Sequence, residues 1–214
     1  FLAVRGGDVS VNHGHHDSGG FVFDADGVRW AVELGGENYY SDYFGSDRYE
    51  YYRTRLEGHN TLVVNPGYED NISSDATVPT DVFSGSDFSY LTADLSNVCP
   101  DAVSIKRGFM LYDNCQYALI QDEISLKENG EIYWFMHTGA DITINGDTAV
   151  LSADGKYLKA KIISPSEASF EKMTATPLSG SPQKQQSENS GISKLAIHLN
   201  NVKDSVISVA LMPL

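Results

Sequence analysis

Four of the six histidines, His13, His15, His16 and His59, fall within the first 59 residues. Three of them share the stretch Asn12-His13-Gly14-His15-His16-Asp17. In an extended segment alternate side chains share a face. That spacing predicts His13 and His15 on one side, joined by Asp17, with His16 on the other. Glu33 ends the β-rich run Val28–Glu33, and His59 stands in Gly58-His59-Asn60-Thr61, just ahead of the apolar Leu62-Val63-Val64. Two imidazoles (His15, His59) and a carboxylate (Glu33), brought together from three segments, suit Zn²⁺ with water in its fourth position. The same residue types also serve as hydrogen-bonded polar positions at a loop mouth, so spacing alone leaves both roles open. A cupin also uses His-x-His, a carboxylate and a later histidine. There the carboxylate follows within a few residues, whereas Glu33 comes a full hairpin later, so the cupin pattern fails.

Between these histidines lies a long polar and aromatic loop, Gly35 to Gly58, carrying Tyr39, Tyr40, Tyr43, Phe44, Tyr49, Tyr51 and Tyr52. Its rings suit stacking on sugar faces, with Tyr51 and Tyr52 as candidate substrate contacts and Arg53 as a partner for substrate carboxylates. An aromatic loop of this length also suits packing against another domain. His137, after the aromatic run Glu131–Met136, and His198, in Ala196-Ile197-His198-Leu199, read as structural.

The elements that must position these residues are short strands. Phe21–Phe23 and Val28–Glu33 flank a Gly-ended turn and form a hairpin. Ser104–Tyr112 and Cys115–Leu126 flank Asp113-Asn114. Ile142–Ile144 and Thr148–Leu151 flank Asn145-Gly146, a strong hairpin turn signal. Tyr157–Ile163, Leu195–Leu199 and Val206–Met212 complete the set. Thr176–Ser193, rich in Ser, Gly, Pro and Gln, reads as a mobile surface excursion. Antiparallel hairpins with little helical periodicity predict an all-β fold, an antiparallel β-sandwich of two large twisted sheets, as one domain over residues 1–214.

Composition limits the partners. With 15 basic and 29 acidic residues the net charge is -14, which excludes nucleic acid and anionic membrane surfaces as expected partners. An acidic substrate would need local cations to hold it. Cys99 and Cys115 form no CxxC pattern, and two free buried thiols are expected. No apolar run reaches the roughly 20 residues of a membrane span. The opening Phe1-Leu2-Ala3-Val4 reads as a strand already under way, so the expectation is a piece of a longer protein.

Taken as an ordered set, these motifs resemble the heparinase II/III-like family. The resemblance is carried by Asn12-His13-Gly14-His15-His16-Asp17, Gly19-Gly20-Phe21, Trp30-Ala31-Val32-Glu33-Leu34-Gly35, Tyr52-Arg53 and Gly58-His59-Asn60-Thr61. Arg107-Gly108-Phe109, Ile120-Gln121-Asp122-Glu123 and Trp134-Phe135-Met136-His137 extend it to about residue 165. Members of that family are polysaccharide lyases acting on uronic-acid polymers such as heparan sulfate and alginate, with an N-terminal helical toroid and a C-terminal β-sandwich. The resemblance implies that this chain is the sandwich, that the toroid is absent from it, and that it is silent alone. It implies His13 as the catalytic histidine and His15, Glu33 and His59 as zinc ligands, with Glu33 where the family usually has Asp. It also implies an acidic polysaccharide as substrate and a secreted or periplasmic location. The second reading, from another class, is a non-catalytic carbohydrate-binding or structural β-sandwich module.

Overall fold

The structure, a computed structural model, describes residues 1–184 and 187–214. Gln185 and Gln186, within the predicted Thr176–Ser193 excursion, lie outside the described residues. The strands begin with β1 (Leu2–Val4), β2 (Gly7–Asp8), β3 (Phe21–Ala25), β4 (Val28–Ala31), β5 (Leu62–Val64), β6 (Thr77–Val78), β7 (Thr80–Ser84) and β8 (Ser89–Asp94). They continue with β9 (Ala102–Tyr112), β10 (Tyr117–Thr138), β11 (Asp141–Asn145), β12 (Thr148–Ala153), β13 (Lys156–Ser164), β14 (Phe170–Thr174) and β15 (Ser193–Pro213). Short 3₁₀ turns at Ser46–Glu50, Tyr52–Thr54 and Leu56–Gly58 lie in the aromatic loop. The expected all-β sandwich is present, with unequal layers. One sheet is β1-β3-β4. The main sheet runs β11-β12-β13-β15-β10-β9-β8-β7, with β14 added on β15 and β5 on β10, while β2 pairs with β6.

Two long strands organise the main sheet. β10 and β15 pair from Ala118↔Leu211 to Ser125↔Asp204, and again from Ile132↔Leu199 to Thr138↔Ser193. Between these runs the register shifts around Gly130, and such irregularities bend a strand pair. Gly130 is required there, because a Cβ would meet Asn65 Oδ1 at 2.6 Å. Beyond the bend β10 pairs with β5, which brings the strand after His59 onto the sheet.

Period-two burial builds the core. Ile105, Arg107 and Phe109 of β9 face inward, as do Ile120, Asp122 and Ile124 of β10 and Ile207, Val209 and Leu211 of β15. Phe21 of β3 lies 5.9 Å from the Phe109 ring and 6.1 Å from Trp134, joining the small sheet to the same core. Each large apolar side chain so buried contributes about 1.5–3 kcal/mol.

Several boundaries differ from the sequence reading. The strand after the first hairpin turn ends at Ala31, short of Glu33. Asn145 pairs with Thr148, so the third hairpin turns on Gly146-Asp147, one residue later than predicted. Leu195–Leu199 and Val206–Met212 are halves of the single strand β15. Cys99 and Cys115 are both free, but only Cys99 is buried. Cys115 sits in a turn with Asp113 and Asn114, all three in the left-handed region, which turns its side chain to solvent. The described part of Thr176–Ser193 is pinned, with Leu178 and Ser181 buried and Ser187 N–H donating to Glu37 Oε1 at 2.6 Å. Among the described residues no helix is long and apolar enough to cross a membrane.

Candidate functional site

The histidine-rich segment is a chain of turns, not a strand. Gly14 N–H donates to Val11 O and Gly20 N–H to Asp17 O, each at 2.8 Å, and His13 has φ 63. Alternation therefore does not apply, and His13 and His15 part company. The exposed His13 ring packs 4.7 Å from Phe44, while His15 lies 5.3 Å from His59. His16 is buried, stacked on Tyr49 at 3.6 Å, with Nδ1 2.6 Å from Asp70 Oδ2. Asp70 also pairs with Arg55 at 3.1 Å. His16 therefore belongs to the support of the loop.

Glu33 and His59 form a close pair. His59 is 1% exposed, and its Nδ1 lies 3.0 Å from the Glu33 carboxylate. Burial acts to raise the Glu33 pKa, but the charge and hydrogen bond of His59 outweigh it and hold the carboxyl below its usual value. Burial likewise opposes the charged form of His59, and Glu33 more than compensates, so the imidazole pKa rises. His15 goes the other way. Burial, then the positive charges of His59 and Arg48, push it down to about 4, which keeps its ring neutral at pH 7. Burial raises Asp17.

The residues after His59 are girders. Asn60 Nδ2 donates to Phe21 O at 2.7 Å and Val32 O at 2.8 Å, and Asn60 Oδ1 accepts from His137 N–H at 2.6 Å. Thr61 Oγ1 donates to Ser18 O at 2.7 Å. Arg107 reaches across the core to Gly19 O, Asn60 O and Thr61 Oγ1 while its Nε faces Asp122 at 2.9 Å. One buried cation thus ties the segment after His16 and the segment after His59 to β9 and β10. The resemblance quoted Asn60, Thr61, Arg107 and Asp122, but the sequence assigns them no task, since their partners are backbone carbonyls distant along the chain.

The aromatic loop corrects the substrate-contact expectation. Tyr51 is 2% and Tyr52 0% exposed. Tyr51 Oη donates to Asp42 at 2.6 Å, and Tyr52 Oη lies 2.6 Å from His137 Nε2. Arg53 is spent on Gly36 O, Asn189 Oδ1 and Glu188 O. Tyr51 and Tyr52 are folded inward, Arg53 stays half-buried, and Tyr39 (79% exposed) and Phe44 (50%) supply the outward rings. Two further residues complete the site: Tyr43, which the sequence shows only as one ring of the loop, and Arg48, to which it assigns no role. Tyr43 Oη lies 3.4 Å from His15 Nε2 and accepts from Glu37 N–H, and Arg48 bonds the carbonyls of His13 and Gly14. His137, fully buried between Tyr52 and Asn60, is structural as expected. So is His198, stacked on Tyr133 at 4.0 Å and paired with Glu131.

Among the described residues no three His, Cys, Asp or Glu side chains stand in ligand geometry for a metal. The donor set still fits zinc chemically. Imidazole and carboxylate are both zinc ligand types, and His59 Nδ1 already meets Glu33 in a 3.0 Å hydrogen bond. His59 Nε2 is buried with no hydrogen-bond partner. His15 is already neutral, as a ligand must be.

No curated protein matches the chain. Among solved structures, the heparan sulfate lyase HepC from Pedobacter heparinus aligns with a TM-score of 0.78 at 12% identity, over 99% of this chain and 32% of its own. A heparinase III gene product with methylated lysines aligns at TM-score 0.75 and 15% identity, over 100% of this chain and 32% of its own. The chain thus spans about a third of those proteins, and at such identities they show its fold. The family model for heparinase II/III-like C-terminal domains matches residues 1–201, and the chain belongs to that family.

Proposed function

We propose that this chain is one wall of the cleft of a polysaccharide lyase that cuts uronic-acid-containing glycans by β-elimination. The family match over residues 1–201 carries this reading, together with an exposed His13 and a buried His59 paired with the half-exposed Glu33. In the reaction the C5–H bond of the uronate breaks, a C4–C5 double bond forms, and the C4 oxygen leaves with a proton. A base, a proton donor and neutralisation of the carboxylate are needed. His13 is exposed, so it can reach a polymer laid across the loop, and imidazole carries protons near neutral pH. Tyr39 and Phe44 offer faces for sugar rings in place of Tyr51 and Tyr52.

We assign His15, Glu33 and His59 as holders of a zinc ion. When bound, the ion supplies a fixed positive charge that locks three segments together. The remaining catalytic groups, the rest of the binding face and a signal for the periplasm or cell exterior belong to a longer protein. The full-length protein, incubated with heparan sulfate and with alginate, is expected to release unsaturated uronates that absorb in the ultraviolet, and this chain alone to release none. Absence of such products from every uronate polymer tested contradicts the lyase reading. Binding of glycans by this chain, without any such product from the full-length protein, would instead favour a carbohydrate-binding module.

A further inference from the structure

His13 holds a left-handed backbone (φ 63) that a side chain with a Cβ adopts only under constraint. The turn around it is tight, since a Cβ on Gly14 would meet Val11 O at 2.8 Å. The constraint comes from Arg48. Its Nη2 donates to His13 O at 2.7 Å and to Gly14 O at 3.1 Å, its Nε to Gly14 O at 3.2 Å, and its Nη1 to Tyr43 O at 3.3 Å. Arg48 is 8% exposed, and its guanidinium lies 4.7 Å from the Tyr43 ring centre and 5.4 Å from that of Phe44. Phe44 is the ring against which His13 packs. One cation therefore grips both the His13 backbone and the surface under its side chain. A planar fork with five donors can hold several carbonyls at once, and a lysine ammonium cannot reproduce that geometry.

We infer that Arg48 is the positioning residue for His13, and that it sets His13 independently of any ion at His15, Glu33 and His59. This rests on the reading of His13 as the proton carrier. The metal cluster then orders the inner part of the site, and Arg48 orders the reacting edge.

The test is histidine-ring NMR on the 214-residue chain, with the His13 signals assigned by His13→Gln. Arg48→Met and Arg48→Lys are each expected to move the His13 ring signals towards random-coil values as the Phe44 ring-current shift is lost. The buried His137 signals are expected to stay dispersed, which reports an intact fold. Zinc addition or chelation in the wild type is expected to leave the His13 signals in place. If Arg48→Met unfolds the chain, Arg48→Lys decides the question. Unchanged His13 signals in a folded Arg48 variant, or His13 signals that follow zinc, overturn the inference. These arms do not depend on catalysis, so a failed lyase reading leaves their outcome standing. In an active full-length protein, Arg48→Lys is expected to lower kcat by up to ~100-fold, the scale of a misplacement of about 1 Å, with KM nearly unchanged. A fall confined to KM would contradict positioning.

Discussion

His59 presents two ring nitrogens in different circumstances: Nδ1 meets the Glu33 carboxylate at 3.0 Å, and Nε2 is buried without a partner. Removing Glu33 leaves the buried His59 ring with its desolvation cost and without its counter-charge. Zinc binding replaces the proton on an imidazole, so a metal-holding role makes stability depend on the ion. Zinc at 100-fold over its Kd is expected to add about 2.7 kcal/mol. At ~2–4 °C per kcal/mol for a chain of this size, melting should rise by roughly 5–10 °C. Glu33→Gln should abolish the rise, and a chelator should reverse it in the wild type. Thermal scans with and without zinc check this, and an unchanged melting temperature removes the metal assignment.

At the scale of elements, the site stands on Arg107. The guanidinium faces Asp122 on the neighbouring strand, and its Nη1 donates to the segments that follow His16 and His59. Burial lowers the Arg107 pKa and raises that of Asp122, against the pull of each on the other. Removing one partner strands a buried charge, so Arg107→Met is expected to cost ~3–5 kcal/mol in urea unfolding. The double substitution Arg107→Met/Asp122→Leu should recover much of that loss. A single variant with wild-type stability would show that the pair carries nothing. The strands themselves are legible in the sequence because period-two burial writes itself into the residue pattern, as at Ile207, Val209 and Leu211. The turn at His13 is not legible, since Arg48 imposes it from a distant part of the chain. The inward course of Tyr51 and Tyr52 is hidden for a similar reason. Their partners, Asp42 and His137, become neighbours only after the 3₁₀ turns form.

On the scale of the whole molecule, a buried lysine sits against aromatic rings. Lys194 is fully buried, its Nζ 4.3 Å from the Phe135 ring centre and 3.2 Å from Thr176 O. Burial pushes its pKa down to about 8, and Glu57 only partly offsets this. Between pH 8 and the unfolded value near 10.5 the folded chain binds fewer protons than the unfolded chain, so this residue adds stability as pH rises through that window. Below pH 8 that contribution is absent. Lys194→Met should flatten the difference, raising stability at pH 7 more than at pH 10, and denaturant titrations at the two pH values check it. The chain spans about a third of the aligned lyases, and the proposed cleft needs a second wall. The reacting edge assigned to this domain is a single exposed histidine. The most direct measurement is therefore the steady-state rate of the full-length protein with His13→Ala, on a uronate polymer that the wild type cleaves. The account predicts a kcat lower by about 10²–10⁴-fold with melting temperature and zinc content unchanged, and a His13→Ala protein that cleaves at the wild-type rate contradicts it.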